Sequence, residues 1–231
     1  MAKLHLLDSL RAEAISTVMF KNLIFDWSGT LVDDLGPTLE ATNAVFVRHG
    51  KPPMAREEFR RLFRLPYAEF YEEHLPDVPL AELENHFREA FANSTLPVTV
   101  LPHAREKLEW CIERQIRCFV LTSMDRSTFE KQLDELELRR FFEATYSGVL
   151  DKRNVIGQLI SDHAMAATET AFLGDMIHDV MTAKHGGVSS VALLTGYTHH
   201  DVLAAAEPDW IVENLLVMQT MMNAFKRPDH E

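Results

Sequence analysis

Residues 20–34 read FKNLIFDWSGTLVDD. The run from Phe20 to Phe25 is short and rich in strand-forming residues, and Asp26 with a Ser-Gly turn ends it at once. The segments C-terminal to this turn decide the kind of sheet. From Pro37 to about Asn93 the apolar spacing is wholly helical, in three stripes. These are Phe59, Leu62 and Phe63; then Tyr67, Phe70, Tyr71 and His74; then Leu80, Leu83, Phe87 and Phe91. After Leu101-Pro102 the pattern alternates. It predicts helices over 104–115, 127–138, 153–163, 178–185 and 200–206, and strands over 117–122, 144–147, 170–173, 189–193 and 209–212. Ser127 to Glu130 (STFE) reads as a capping box for the second of these helices.

Strands alternating with helices of this length mean an α/β fold, a Rossmann-like parallel sheet with helices on both faces. A helical insert of about 60 residues after the first strand is far beyond ordinary loop lengths. It reads as a second, all-helical unit. The expected organisation is a core of residues 1–34 and 100–231 with a helical cap at 35–99. Residues 1–18 carry Leu4, Leu7, Leu10, Ala14, Ile15 and Val18 at near-helical spacing, with charges between them. They predict an amphipathic helix that packs on its own core or forms a homodimer contact.

The composition narrows the function. Of 231 residues, 46% are apolar and 25% charged, ordinary proportions for a globular chain. Asp plus Glu number 35 against 23 Lys plus Arg, a net charge of -12. Such a surface repels phosphate backbones, so no nucleic acid is expected as a partner. A small phosphorylated ligand stays compatible, because local cations or a metal reverse the sign within one cleft. No apolar run approaches the roughly 18–20 residues of a membrane span, so no membrane partner is expected either. Cys111 and Cys118, the two cysteines, are too few for a disulfide framework and suit a cytoplasmic setting.

In open parallel sheets, ligands bind at the carboxyl ends of the strands. Here those ends carry Asp26-Trp27-Ser28-Gly29-Thr30, Thr122-Ser123, and Gly174-Asp175 with Asp179 beyond, while Lys152 opens the helix after the third strand of the alternating pattern. Taken singly, each has a bland reading as a turn, a cap or a solvated lysine. As an ordered set they fit phosphoryl transfer. Asp26 is a competent nucleophile for an aspartyl-phosphate. Asp175 and Asp179 are hard donors suited to Mg²⁺. Thr122, Lys152 and the backbone amides at 27–29 could hold the phosphoryl oxygens, and Gly29 lets the backbone come close. Trp27, Gly29, Ser123 and, in the cap, Arg64 are the candidate substrate contacts.

The order LIFDWSGTLVDD, FVLTS, a lysine and FLGDMIHD resembles the haloacid dehalogenase-like hydrolases. The insert lies where the phosphoglycolate phosphatase-like group carries a small cap. SSVALLTGYT (189–198) and PDWIV (208–212) extend the likeness to roughly residues 20–215. The resemblance implies an Asp26 nucleophile and Mg²⁺ held by Asp26, the Ser28 carbonyl and Asp175. It also implies support from Asp179, with Thr122 and Lys152 as phosphate ligands.

One position departs from that pattern. Phosphatases of the family carry a second aspartate two residues after the nucleophile as general acid and base, and here it is Ser28. A serine hydroxyl has no useful pKa near neutrality, and losing a positioned acid–base group typically costs about 10²–10⁴-fold. Candidate substitutes are His178, His49, Arg64 and Tyr67. Asp33 is expected to serve the hinge or a helix start. FDWSGT also resembles the FDWAGT of phosphonoacetaldehyde hydrolase, which uses a cap lysine. Lys51 lies in a turn beside two prolines, a poor place for a desolvated amine nucleophile. Arg153 could share the role of Lys152. A catalytically weak phosphate-binding protein on the same fold is the remaining alternative.

Overall fold

The structure is a computed structural model that describes residues 19–224. The helix expected over 1–18, with its possible dimer contact, lies outside the described residues. Strands β1 (Asn22–Phe25), β4 (Arg117–Leu121), β5 (Ala144–Tyr146), β6 (Thr170–Gly174), β7 (Ser189–Leu193) and β8 (Trp210–Val212) form one sheet in the order β5-β4-β1-β6-β7-β8. All its pairs are parallel. The first strand is therefore central, and the order reverses on either side of it. Phe25 pairs with Val120 on one side and Leu173 on the other. That register brings Asp26, Thr122 and Asp175 out side by side at the carboxyl edge.

The period of two along β1 sorts its side chains between the layers. Leu23, Phe25 and then Trp27 pack with Leu108, Phe129, Leu133 and Met218. These belong to α5 (Ala104–Glu113), α6 (Arg126–Glu135) and α10 (Leu215–Ala224). Ile24 faces the opposite layer with Ile156, Leu159 and Ala183. Those come from α7 (Arg153–Asp162) and α8 (Ile177–Gly186), while α9 (His200–Ala205) packs against the far strands.

The α6 cap differs from the sequence expectation. Asp125 is the cap, its Oδ1 accepting the N–H of Ser127 and of Thr128, both at 3.1 Å. One carboxylate oxygen satisfies two orphan amides and outcompetes the Ser127 hydroxyl, while Glu130 turns away to Arg139. The helix also stops at Glu135 rather than 138, because Glu137 takes a left-handed φ of 54° and Arg139–Phe141 makes a separate 3₁₀ turn.

The insert folds as four helices: α1 (Leu35–Arg48), α2 (Arg56–Leu62), α3 (Tyr67–His74) and α4 (Leu80–Asn93). Phe46, Phe59, Phe70 and Leu83 fill its own small core. Leu80 of the third stripe is 37% exposed and lies outside that core, since it is the first helical residue and has no facing partner. Two chain crossings join the insert to the sheet, and they pair with each other. β2 (Val32–Asp33) is antiparallel to β3 (Thr99–Val100), with Leu101 N–H donating to the Leu31 carbonyl. Asp33 lies in this hinge. A second contact comes from α2: the Arg60 guanidinium donates to the Gly196 and Thr198 carbonyls, and His199 N–H donates to the Arg60 carbonyl.

Candidate active site

The carboxyl edge of the sheet carries a buried ionic cluster. Lys152 Nζ lies 2.7 Å from Asp26 Oδ1 and 2.7 Å from Asp179 Oδ1, and its side chain is fully buried. Burial alone would strip the ammonium of its proton, but the Asp179 and Asp26 carboxylates outweigh it and hold the lysine above its usual range. Asp179 also accepts the Met176 N–H through Oδ2. Both its oxygens are thus engaged in holding Lys152 and the turn that starts α8. Asp175 accepts from Thr30 Oγ1 and from the Tyr197 N–H. Burial, then the charges of Asp26 and Asp179, push its carboxyl well up. Burial raises Asp26 to about 6, against the pull of Lys152.

Three carboxylates, with oxygens within 4.8 Å of one another, face this one lysine. Hard anionic oxygens in excess over cations form a donor set that fits a divalent metal such as Mg²⁺. Gly29 makes the cluster possible: its φ is +72°, and a Cβ there would come within 2.5 Å of Asp175 Oδ2.

Above the cluster, between sheet edge and cap, opens a cavity of about 660 Å³. Asp26, Ser28, Thr122 and Ser123 form its floor. Thr122 Oγ1 accepts the Met124 N–H, which leaves its proton for a guest. Ser123 Oγ is buried and has no hydrogen-bond partner among the described residues. An orphaned hydroxyl beside a nucleophile is a donor awaiting an oxygen.

Sequence reasoning missed Asp34. It is 1% exposed and lines the cavity. Ser28 Oγ donates to its Oδ2 at 2.6 Å, and the Tyr197 hydroxyl donates to its Oδ1 at 2.8 Å. Burial lifts the carboxyl to about 6 against those two hydrogen bonds, with Asp26 adding to the rise. The acidic group absent at position 28 is thus present one hydrogen bond away. The visible signal was the doubled Asp33-Asp34 at the entrance to the insert.

The proposed substitutes land elsewhere. His178 is buried, accepts the Lys152 N–H through Nε2, and burial depresses it to about 4, so at neutrality it is the uncharged imidazole, with Nε2 already engaged. His49 contacts His86 within the cap. Arg64 pairs with Glu73 and Glu69. Neither lines the cavity. Tyr67 does line it, with its hydroxyl given to Glu84. The Trp27 side chain points into the core, where Nε1 donates to Gln132 Oε1 at 2.7 Å and the ring meets Phe129 edge-on; only its backbone faces the site. Arg153 pairs with Asp151 at the surface. Lys51 is exposed and outside the cavity wall.

This fold and site belong to a known class. The family model for haloacid dehalogenase-like hydrolases matches residues 23–193, and the chain is a member of that family. Similar proteins include the phosphoglycolate phosphatase of Pseudomonas savastanoi pv. phaseolicola, 30% identical over 210 residues, covering 84% of this chain and 77% of the relative. That of Pseudomonas fluorescens is 28% identical over 207 residues, covering 84% and 76%. Such relatives place the chain in the phosphoglycolate phosphatase-like group, among phosphatase enzymes. A haloacid dehalogenase-like family protein from Streptococcus pneumoniae shares the fold, with a TM-score of 0.78 at 23% identity, over 88% of this chain and 98% of that one. Among the described residues no helix is long and apolar enough to cross a membrane.

Proposed function

We propose that the protein hydrolyses a small-molecule phosphate monoester through an aspartyl-phosphate on Asp26, with Asp34 as the general acid and base in place of Ser28. The observation that carries this reading is the carboxyl of Asp34, inside the cavity and joined to Ser28 by a 2.6 Å hydrogen bond. A group with a pKa of about 6 can both hold and accept a proton near neutrality.

An Asp26 carboxylate oxygen attacks phosphorus as the ester oxygen leaves. Asp34 gives that oxygen its proton, directly or through Ser28 Oγ, and the alcohol departs. The resulting Asp34 carboxylate then takes a proton from the water that attacks the aspartyl-phosphate, releasing inorganic phosphate and restoring both carboxyl groups. Lys152 holds Asp26 in place and offsets the charge of the phosphoryl group, and Thr122, Ser123 and the amides at 27–29 hold its equatorial oxygens. Asp26, Asp175 and the Ser28 carbonyl would bind Mg²⁺, which would offset the repulsion between the phosphate dianion and the carboxylates. The free, buried cysteines support a cytoplasmic setting.

The test is phosphate release from 4-nitrophenyl phosphate and from an alkyl phosphate, with Mg²⁺, with chelator, and in Asp26→Asn and Asp34→Asn. Turnover should vanish with chelator and in Asp26→Asn. Asp34→Asn should slow the alkyl ester by about 10²–10⁴-fold, and formation of the aryl-derived phosphoenzyme far less, because nitrophenolate leaves without a proton. Equal losses in the first-turnover release of alcohol and of nitrophenolate, which reads phosphoenzyme formation alone, would remove Asp34 from protonation of the leaving group.

A further inference from the structure

Resting on that phosphatase reading, we infer that the organic half of the substrate is a bulky, uncharged apolar group, such as an aryl-alkyl or branched alkyl alcohol. A short carboxylic acid like the glycolate in the relatives' names does not fit. The cavity has the volume of sites that enclose drug-sized ligands, far more than a phosphate with a two-carbon acid fills. Away from the floor, the apolar part of its wall includes Phe63, Leu65, Tyr67, Phe87, Phe91 and Leu150, with threonines and charged side chains beside them. All six are only partly buried or exposed, although Phe87 and Phe91 stack at 5.8 Å. Apolar surface concentrated over a reaction centre is covered when a guest of the same character enters.

The charges argue the same way. A substrate carboxylate needs a cation, and the arginines of α2 and of the turn after it are committed elsewhere. Arg60 binds the Gly196 and Thr198 carbonyls, Arg61 contacts His199, and Arg64 pairs with Glu69 and Glu73. None of them lines the cavity. The two arginines that do, Arg88 and Arg126, are exposed. They share the wall with Glu84 and Asp125, which offset their charge, so a second negative charge on the substrate would meet no net positive wall.

The experiment measures binding, independent of turnover, with non-hydrolysable phosphonates and Mg²⁺. Calorimetry on the full chain would compare benzylphosphonate and 1-naphthylmethylphosphonate with phosphonoacetate, a mimic of phosphoglycolate. Enclosing one ring is worth roughly ten- to a hundredfold in affinity, so the aryl compounds should bind at least about tenfold tighter. Phe91→Ala should erase most of that preference while leaving phosphonoacetate unchanged. Leu150→Ser, at a residue 55% exposed and harmless to folding, should reduce it by a smaller factor. Phosphonoacetate binding as tightly as the aryl compounds, or tighter, would overturn the inference, and so would no binding by any of the three. Hydrolysis of acetyl phosphate and 4-nitrophenyl phosphate is followed in parallel. Aryl preference without hydrolysis would sink the phosphatase reading alone; hydrolysis with phosphonoacetate preferred would sink the apolar substrate alone.

Discussion

Among the described residues two lysines, Lys152 and Lys107, are fully buried, on different sides of the sheet, and their surroundings drive them in opposite directions. Lys152 lies at the carboxyl edge between Asp26 and Asp179, which keep it charged. Lys107 lies on α5, with Nζ 3.1 Å from Met222 Sδ and 4.1 Å above the Trp110 ring. No carboxylate pairs with it among the described residues, and burial lowers it to about 8. Burial is the same at both places, so it cannot be what sets the charge. Fixed carboxylates make a buried ammonium permanent; a thioether and an indole leave it close to giving up its proton.

Lys152→Met tests the strong end of the contrast. Removing one partner from a buried ionic cluster destabilises by about 3–5 kcal/mol, and loss of the positive charge at the phosphoryl group lowers kcat by about 10²–10³-fold. Acid should restore part of the stability by protonating the orphaned carboxylates. A variant that melts like wild type at every pH would show that the cluster is not ionic.

Asp34→Asn comes next. The wild-type carboxyl is raised from 3.8 to about 6 in the fold, so between those values the folded state keeps a proton the unfolded state has lost. Its contribution is fully present below about pH 4 and lost as pH rises through 6. The asparagine variant should therefore be the more stable at pH 7–8, by up to about 3 kcal/mol, and the two melting curves should converge near pH 4. A constant offset across that range would contradict the raised pKa.

Lys107→Met tests the weak end. It replaces a reluctant cation with an apolar chain of similar volume, so stability at pH 7 should rise by about 1–3 kcal/mol, and the gain should fade as pH rises from about 8, where the folded lysine loses its proton, to about 10.5. Phosphatase activity should not change. A large loss of stability would reveal a carboxylate partner for this lysine.

Trp27→Phe carries the smallest effect. It leaves Gln132 Oε1 without its indole donor, costing about 1–3 kcal/mol, with kcat/KM per folded molecule unchanged. A specific loss of activity would return the indole to the substrate site.

Most of the sheet was legible because each strand is a short β-rich run closed by a polar residue, and parallel register carries those closing residues to one edge. Asp26, Thr122 and Asp175 meet for that reason, and Lys152 and Asp179 join them because their helices start at the same edge. Trp27 was misjudged despite a usable signal: Leu23, Phe25 and Trp27 alternate onto one face, which commits the indole to the core. Helix ends such as 135 against 138 were set by a left-handed residue that periodicity does not mark. Asp34 and Tyr197 could not be paired from the sequence, since 163 positions separate them and their hydrogen bond exists only once the insert has folded back over the sheet. The directions of the cap arginines failed for a similar reason, because helical spacing does not say which face meets the core.

Tyr197 has a consequence for how a catalytic cycle must run. Its amide holds Asp175, its hydroxyl holds Asp34 and Thr38, and its neighbours Gly196 and Thr198 hold Arg60. The cap contact, the proposed acid–base carboxyl and the carboxylate cluster thus share one residue. Thr38 and Arg60 belong to the insert, so on the proposed mechanism any opening of the cap would draw on the strap that fixes Asp175. Exchange of product for substrate and disarming of the reacting groups would then be a single event.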